Sequence, residues 1–238
     1  MTEPRTEESP HARPPRCFAL VPCAGVGERA GAGGPKQYLA LHGQALVAHT
    51  LAALAAVPRL EATLVVLAPG DAQFEQRVPG FAGWVERCGG ASRAQSVANG
   101  LEALLARGAR ADDWVLVHDA ARCLLRPEWV ERLIDACEDD AVGGLLALPL
   151  ADTLKQELGG RVAATVDRAG KWAAQTPQMF RLGLLRRALA QAGPGVTDES
   201  SAVEALGLAP KLVPGEIENL KVTWPADFAL AARLLESR

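Results

Sequence analysis

The feature that most constrains this chain is a rhythm: short apolar runs that do not alternate, each followed by a stretch with helical spacing. Cys17 to Pro22, Ala62 to Ala68, Trp84 to Cys88 (the weakest), Trp114 to His118 and Val142 to Leu148 read as strands. Gln44 to Val57, Ser92 to Ala106 and Pro127 to Cys137 read as helices. In the first, Leu46, Val47, Leu51 and Leu54 share a stripe; Ser92 supplies an N-cap, and Pro127 sits in a first turn. Strands that are apolar along their whole length are buried on both faces. Strands alternating with helices therefore predict an α/β fold, a mainly parallel sheet with helices on both faces. Ligands of such sheets sit beyond the carboxyl ends of the strands. The polar punctuation falls there: Gly25 after the first run, Gly89 and Gly90 after the third, Asp119 after the fourth.

The rhythm breaks from Leu150 to Trp172. Two extended pieces, Thr153 to Glu157 and Val162 to Asp167, are joined at Gly159-Gly160, a hairpin signal. This predicts an arm over about residues 150–172. Beyond it come helices from Leu182 to Gln191 and Asp198 to Leu206, a strand near Leu212 and a last helix from Pro225. A chain of 238 residues suits one large α/β domain, here 17–238, with no second enzyme domain expected after the last helix. Residues 1–16 are polar and Pro-rich, lack the apolar centre of a signal peptide, and read as a disordered leader.

A net charge of −3 gives no sign of a nucleic-acid or membrane surface, and no run of about 18 apolar residues suggests a membrane span. The five cysteines are odd in number and form no CxxC pair, so they read as reduced thiols of a cytoplasmic protein. His42, His49 and His118 show no metal-ligand spacing and read as structural.

The chemistry concentrates in Pro22-Cys-Ala-Gly-Val-Gly-Glu-Arg29 and Pro35-Lys36. Gly25 and Gly27 permit close approach of backbone to ligand and positive φ, and successive N–H groups in such a turn cradle an anion. The third glycine, Gly31, comes one place too late for GxGxxG, and the Walker pattern is absent. Arg29 and Lys36 flank the turn and can fold onto one polyphosphate. Lys36 is one of only five lysines beside twenty arginines, which points to a need for a compact point charge.

These segments, with Gly89-Gly-Ala-Ser-Arg-Ala-Gln-Ser96, Val117-His-Asp-Ala-Ala-Arg122, Asp152-Thr-Leu-Lys155, Val166-Asp-Arg168, Gln175-Thr-Pro-Gln178, Thr197-Asp-Glu199 and Asn219-Leu-Lys-Val-Thr223, resemble the 2-C-methyl-D-erythritol 4-phosphate cytidylyltransferase family in one continuous order. The chain departs from the family's habit at Cys23, Ala30, Cys123 and Trp224, none a position expected to do chemistry. The resemblance implies a Rossmann-like sheet and a cytidylyl transfer from CTP to methylerythritol phosphate, releasing pyrophosphate. A ribitol 5-phosphate cytidylyltransferase, or a non-catalytic nucleotide-binding protein of the same fold, are the alternatives.

By the resemblance, Arg29 and Lys36 stabilise triphosphate charge. Ala24, Gly25, Gly27, Gly89, Gly90, Arg93, Ser96 and Asp119 bind the nucleotide. Asp119, Arg122, Thr153, Arg168, Thr176 and Lys221 bind the second substrate, with Arg168 and Lys221 holding it for attack. Asp119 has a plainer reading as a helix N-cap, and Arg122 as its structural brace. The resemblance further implies Mg²⁺ held mainly by CTP phosphates, and a homodimer in which the arm carries Arg168 into the partner's site. Asp198 and Glu199 read as the start of a helix, without a catalytic part.

Overall fold

In a computed structural model of the chain, the described residues are 13–25, 34–193 and 196–238. Gly27, Arg29 and most of the leader lie outside them. Strand β1 (Cys17–Cys23) is an inner strand of a seven-stranded sheet. It pairs in parallel with β4 (Leu60–Leu67) on one side and β6 (Trp114–Val117) on the other. β5 (Trp84–Glu86) extends the sheet beyond β4, to which the short helix α2 (Phe74–Arg77) connects it. Beyond β6 lies β10 (Trp172–Arg181), antiparallel to both β6 and β7 (Gly143–Pro149), and β11 (Lys211–Pro214) closes the edge in parallel with β7. The sheet is therefore mainly parallel, as the rhythm predicts, with one reversed strand.

Burial on both faces follows from β1 itself. Ala19 and Val21 pack under α1 (Leu46–Ala55) and α4 (Pro127–Cys137), against Leu51, Leu54, Val130 and Leu133. Phe18 and Leu20 face the other way, onto Val97, Leu101 and Leu104 of α3 (Arg93–Ala106) and Leu185 of α5 (Leu182–Gln191). Every one of these side chains is 3 % exposed or less, so each burial other than that of Ala19 contributes on the order of 1.5–3 kcal/mol to the fold. Gly100 in α3 is required by this contact: a Cβ there would stand 2.7 Å from Leu20 and 2.8 Å from Val66. A smaller cluster joins Leu46, Leu124 and Val222 to α7 (Pro225–Glu236), with Ala231 of α7 buried.

The arm is present as a separate two-stranded sheet, β8 (Leu154–Leu158) and β9 (Arg161–Val166). Gly159 and Gly160 turn it with φ of +60° and +75°, as a two-residue hairpin demands. Its Leu158 and Val162 are 76 % and 64 % exposed.

Two parts of the sequence reading change. The first helix begins at Leu46, because Gln44 and Ala45 pair with Ala40 and Leu41 as a small ladder, β3 (Gln44–Ala45) on β2 (Ala40–Leu41). The strand β10 is absent from the sequence reading altogether. Its centre, Gln175-Thr-Pro-Gln178, carries polar residues and a proline, the pattern that argues against a strand. The sheet accommodates them at a register break against β7 between Ala174 and Gln178. Gln175, Thr176 and Gln178 are nevertheless buried, since they build the site.

Candidate active site

A cleft of about 430 Å³ opens at the carboxyl ends of β1 and β6. Ala24 and Gly25, which follow β1, form one wall, with Lys36 and Gln37 returning beside them. Gly90 to Arg93 and Ser96 form the opposite wall, and Asp119 to Ala121 with Lys221 the floor. The sequence thus brings Ala24, Gly25, Lys36, Gly90, Arg93, Ser96, Asp119 and Lys221 to one place from separate segments.

The Gly-rich turns are shaped by close packing. A Cβ on Gly89 would collide with the Ala24 side chain and stand 2.8 Å from the Leu67 carbonyl, to which the Gly89 N–H donates at 2.8 Å. A Cβ on Gly90 would collide with Gln95. Gly25 differs from expectation: its φ is not positive, and a Cβ there would meet no atom within 4 Å. The turn between β5 and α3 is locked by hydroxyls. Gly90 N–H donates to Ser96 Oγ at 3.0 Å, and Ser96 Oγ donates to the Ser92 carbonyl at 2.9 Å. Ser92 Oγ accepts from Gln95 N–H at 3.1 Å, so Ser92 is the N-cap that the sequence predicts.

Asp119 holds the floor together. Arg93 Nε donates to its Oδ1 at 2.8 Å, and Lys221 Nζ lies 2.8 Å from Oδ2, with Arg122 Nε at 3.8 Å. Burial alone would raise the Asp119 pKa; Arg93, Lys221 and Arg122 reverse this and hold the carboxylate ionised, well below its ordinary value. No helix starts at Asp119, so its N-cap reading falls away: a turn follows, with Arg122 N–H bonded to the Asp119 carbonyl at 3.0 Å.

Beneath Asp119 lies a buried polar layer. Asp119 N–H donates to Thr176 Oγ1 at 3.0 Å, and Thr176 Oγ1 lies 3.1 Å from His118 Nδ1. His118 Nε2 lies 3.2 Å from the Arg122 carbonyl, which only accepts, so Nε2 carries the proton and Nδ1 accepts from Thr176. Burial pushes the His118 pKa down to about 4, which keeps the ring neutral. Asn219 Nδ2 donates to the Thr176 carbonyl at 2.8 Å, and Gln175 Nε2 to the Glu216 carbonyl at 2.8 Å. These bonds tie β10 to the segment that carries Lys221.

Two expected substrate contacts are engaged elsewhere. Thr176 is 4 % exposed, with its hydroxyl used by Asp119 and His118. Arg122 spends both terminal nitrogens on the carbonyls of Asn219 and Ala174, at 2.5 and 3.3 Å. Each supports Asp119 and does not line the cleft. Thr153 and Arg168 lie at the base of the arm and do not line it either; Arg168 Nη1 donates to the Ala151 carbonyl.

The sequence reading missed two contributors. Gln37 Nε2 donates to the Cys23 carbonyl at 3.2 Å and pins the short turn Lys36–Tyr38 to β1. Glu199 begins helix α6 (Glu199–Glu204), as expected, but its carboxylate is buried and grips Arg93 at 2.6 and 3.0 Å. No local signal pairs Glu199 with Arg93; only the fold brings it 106 positions back along the chain.

Residues 17–237 match the family described as 2-C-methyl-D-erythritol 4-phosphate cytidylyltransferase. The chain belongs to that family. It is 57% identical over 229 residues to the 2-C-methyl-D-erythritol 4-phosphate cytidylyltransferase of Laribacter hongkongensis, covering 92% of this chain and 96% of that one. It is 64% identical over 225 residues to the bifunctional enzyme IspD/IspF of Albidiferax ferrireducens, covering 94% of this chain but 54% of that protein, so it spans about half of that relative. Among solved structures it resembles 4-diphosphocytidyl-2C-methyl-D-erythritol synthase, with a TM-score of 0.85 and 42% identity over 94% of this chain and all of that one. The family member from Thermus thermophilus gives a TM-score of 0.75 at 34% identity, covering 91% of this chain and 98% of that one. The Rossmann-like α/β sheet is thus a property of the family.

Proposed function

We propose that this chain transfers a cytidylyl group from CTP to 2-C-methyl-D-erythritol 4-phosphate, releasing pyrophosphate, in isoprenoid precursor synthesis. The observation that carries this reading is the cleft: among the described residues, three cations, Lys36, Arg93 and Lys221, line it against one carboxylate, in a chain that matches the family almost end to end. In the reaction, a phosphate oxygen of the polyol phosphate bonds to the α-phosphorus of CTP, and the bond from that phosphorus to the bridging oxygen breaks. No covalent enzyme intermediate is needed, so catalysis is positioning and charge stabilisation.

Lys36 and Arg29 stabilise the charge growing on the departing pyrophosphate. Ala24, Gly25 and Gly27 bring backbone close to the phosphates. Gly89, Gly90 and Ser96 read cytosine through backbone and hydroxyl groups. Asp119 and Lys221 meet the polyol phosphate, with Thr176 and Arg122 beneath them as supports. Thr153 and Arg168 reach a substrate from the arm of a second copy. The exposed Leu158 and Val162 support that role, since apolar residues on a hairpin favour cover by a partner.

Among the described residues no cluster of three or more His, Cys, Asp or Glu side chains could hold a metal. Asp119, the one carboxylate lining the cleft among the described residues, has both oxygens ion-paired. The described residues therefore fit a Mg²⁺ that would be held mainly by CTP phosphates, with Asp119 as the available protein carboxylate, rather than a cage made by the protein. Such an ion would supply charge neutralisation to the phosphates. Among the described residues no helix is long and apolar enough to cross a membrane, and five free thiols fit a reducing cytoplasm.

The test is pyrophosphate release from CTP with methylerythritol phosphate against ribitol 5-phosphate, each with and without Mg²⁺. Turnover with methylerythritol phosphate and Mg²⁺ is expected. Turnover with ribitol 5-phosphate alone would replace this reading.

A further inference from the structure

Arg93 occupies the first position of α3, where the helix dipole disfavours a cation. It is partly buried and reaches Asp119 at the cleft floor. Such an arginine needs carboxylates, and it has two on different edges. Its terminal nitrogens form a two-pronged pair with Glu199 at 2.6 and 3.0 Å, while Nε donates to Asp119 at 2.8 Å. A forked pair fixes the guanidinium plane as well as its position. Asp119 in turn holds Lys221 at 2.8 Å. An unbroken chain of charges therefore runs from Glu199 through Arg93 and Asp119 to Lys221.

Glu199 is itself held firmly. The Asp198 side chain accepts from Ser201 N–H at 2.9 Å, closing a capping box. Gln178 of β10 donates to Asp198 at 2.8 Å and accepts from Ser200 N–H at 2.7 Å. The residues on both sides of Glu199 are thus bolted to the central sheet. Glu199 is 1 % exposed and does not line the cleft.

We propose that Glu199 is a positioning residue of the reaction: acting through Arg93, it sets Asp119 and Lys221 at the cleft floor. Its carboxylate occupies the outer edge of the guanidinium. Arg93 then offers Asp119 only Nε, and Asp119 keeps its second oxygen for Lys221. Without Glu199, the two free terminal nitrogens can close on Asp119 in a fork or swing toward the triphosphate, and Lys221 loses its anchor. The inference rests on the cytidylyl-transfer reading.

The test is a double-mutant cycle of Glu199→Gln and Arg93→Lys, measuring kcat and KM for both substrates together with melting temperature. Glu199→Gln is expected to lower kcat/KM for methylerythritol phosphate by ~10²-fold, the scale of a displaced catalytic group. In the Arg93→Lys background the same change is expected to cost less than about 3-fold, because the route through Arg93 is already broken. Wild-type kcat/KM in Glu199→Gln overturns the proposal. So does an undiminished loss in the Arg93→Lys background, which marks Glu199 as merely structural. If Glu199→Gln does not fold, Glu199→Asp keeps the charge and shortens the reach: lowered kcat/KM at the wild-type melting temperature supports the role, and unchanged kcat/KM ends it. A wild-type protein that releases no pyrophosphate removes the functional reading instead, a result distinct from an active wild type with an equally active Glu199→Gln.

Discussion

Asp119 is buried yet ionised, a state that exists only because cations approach both of its oxygens. The neighbouring His118 is buried in the opposite sense, neutral and used as a spacer between Thr176 and the Arg122 carbonyl. Its depressed pKa has a pH consequence. The unfolded chain takes up the proton near the ordinary value of about 6.5, the folded one only near about 4. Stability is therefore whole above pH 6.5 and falls as pH drops toward 4, by about 3 kcal/mol for this group at full titration. Imidazole NMR should find His118 unprotonated at pH 5, and urea midpoints should fall between pH 7 and 5. Lys36 marks the other wall, with Nζ 3.1 Å from the Val222 carbonyl beside Lys221. Lys36→Ala should lower kcat by ~10²-fold or more in the pyrophosphate assay, the cost of one preorganised charge, and an unchanged kcat would remove it from the mechanism.

The elements contribute through their ends. β1 and β6 finish at the cleft, and α3 starts there, so the turn from β5 to α3 must be both tight and rigid. Gly89 is tight because backbone and the Ala24 side chain leave no room for a methyl group. Gly89→Ala should cost about 1–3 kcal/mol by overpacking and raise KM for CTP, checked by melting and by initial rates. Ser92→Ala removes the cap on α3 and should cost about 1 kcal/mol in urea denaturation. Ser96 would remain bonded to the Ser92 carbonyl, so the effect on KM should be smaller than that of Gly89→Ala. Most of these elements are legible in the sequence, because apolar runs and Pro or Ser signals announce them. The strand β10 is not, because Gln175, Thr176 and Gln178 serve the site and erase its apolar pattern.

At the scale of the molecule, Thr153 and Arg168 flank the arm and do not line the cleft of their own chain. A shared site predicts complementation. Lys36→Ala and Arg168→Ala proteins, each weakly active alone, should regain part of the wild-type turnover when mixed and allowed to exchange subunits. No recovery despite proven exchange would make each site self-contained. Leu158→Asp, at the exposed tip of the arm, should shift the protein toward monomer in light scattering and lower activity with it.

The sequence by itself determined the α/β class, the arm, the Gly-rich turns and the candidate cations, because backbone conformation and strand burial are written in local residue choice and spacing. Even Asp119 as a strand-end carboxylate could be picked out. What the tertiary structure alone decided was who holds whom. Glu199 reaches Arg93 across 106 positions and Thr176 reaches Asp119 across 57. Arg122, open to either a substrate contact or a brace, places its terminal donors on the backbone carbonyls of Asn219 and Ala174. Such pairings depend on which strand ends are adjacent in the sheet and on how much water burial removes from each charge, and neither is a local property of the chain.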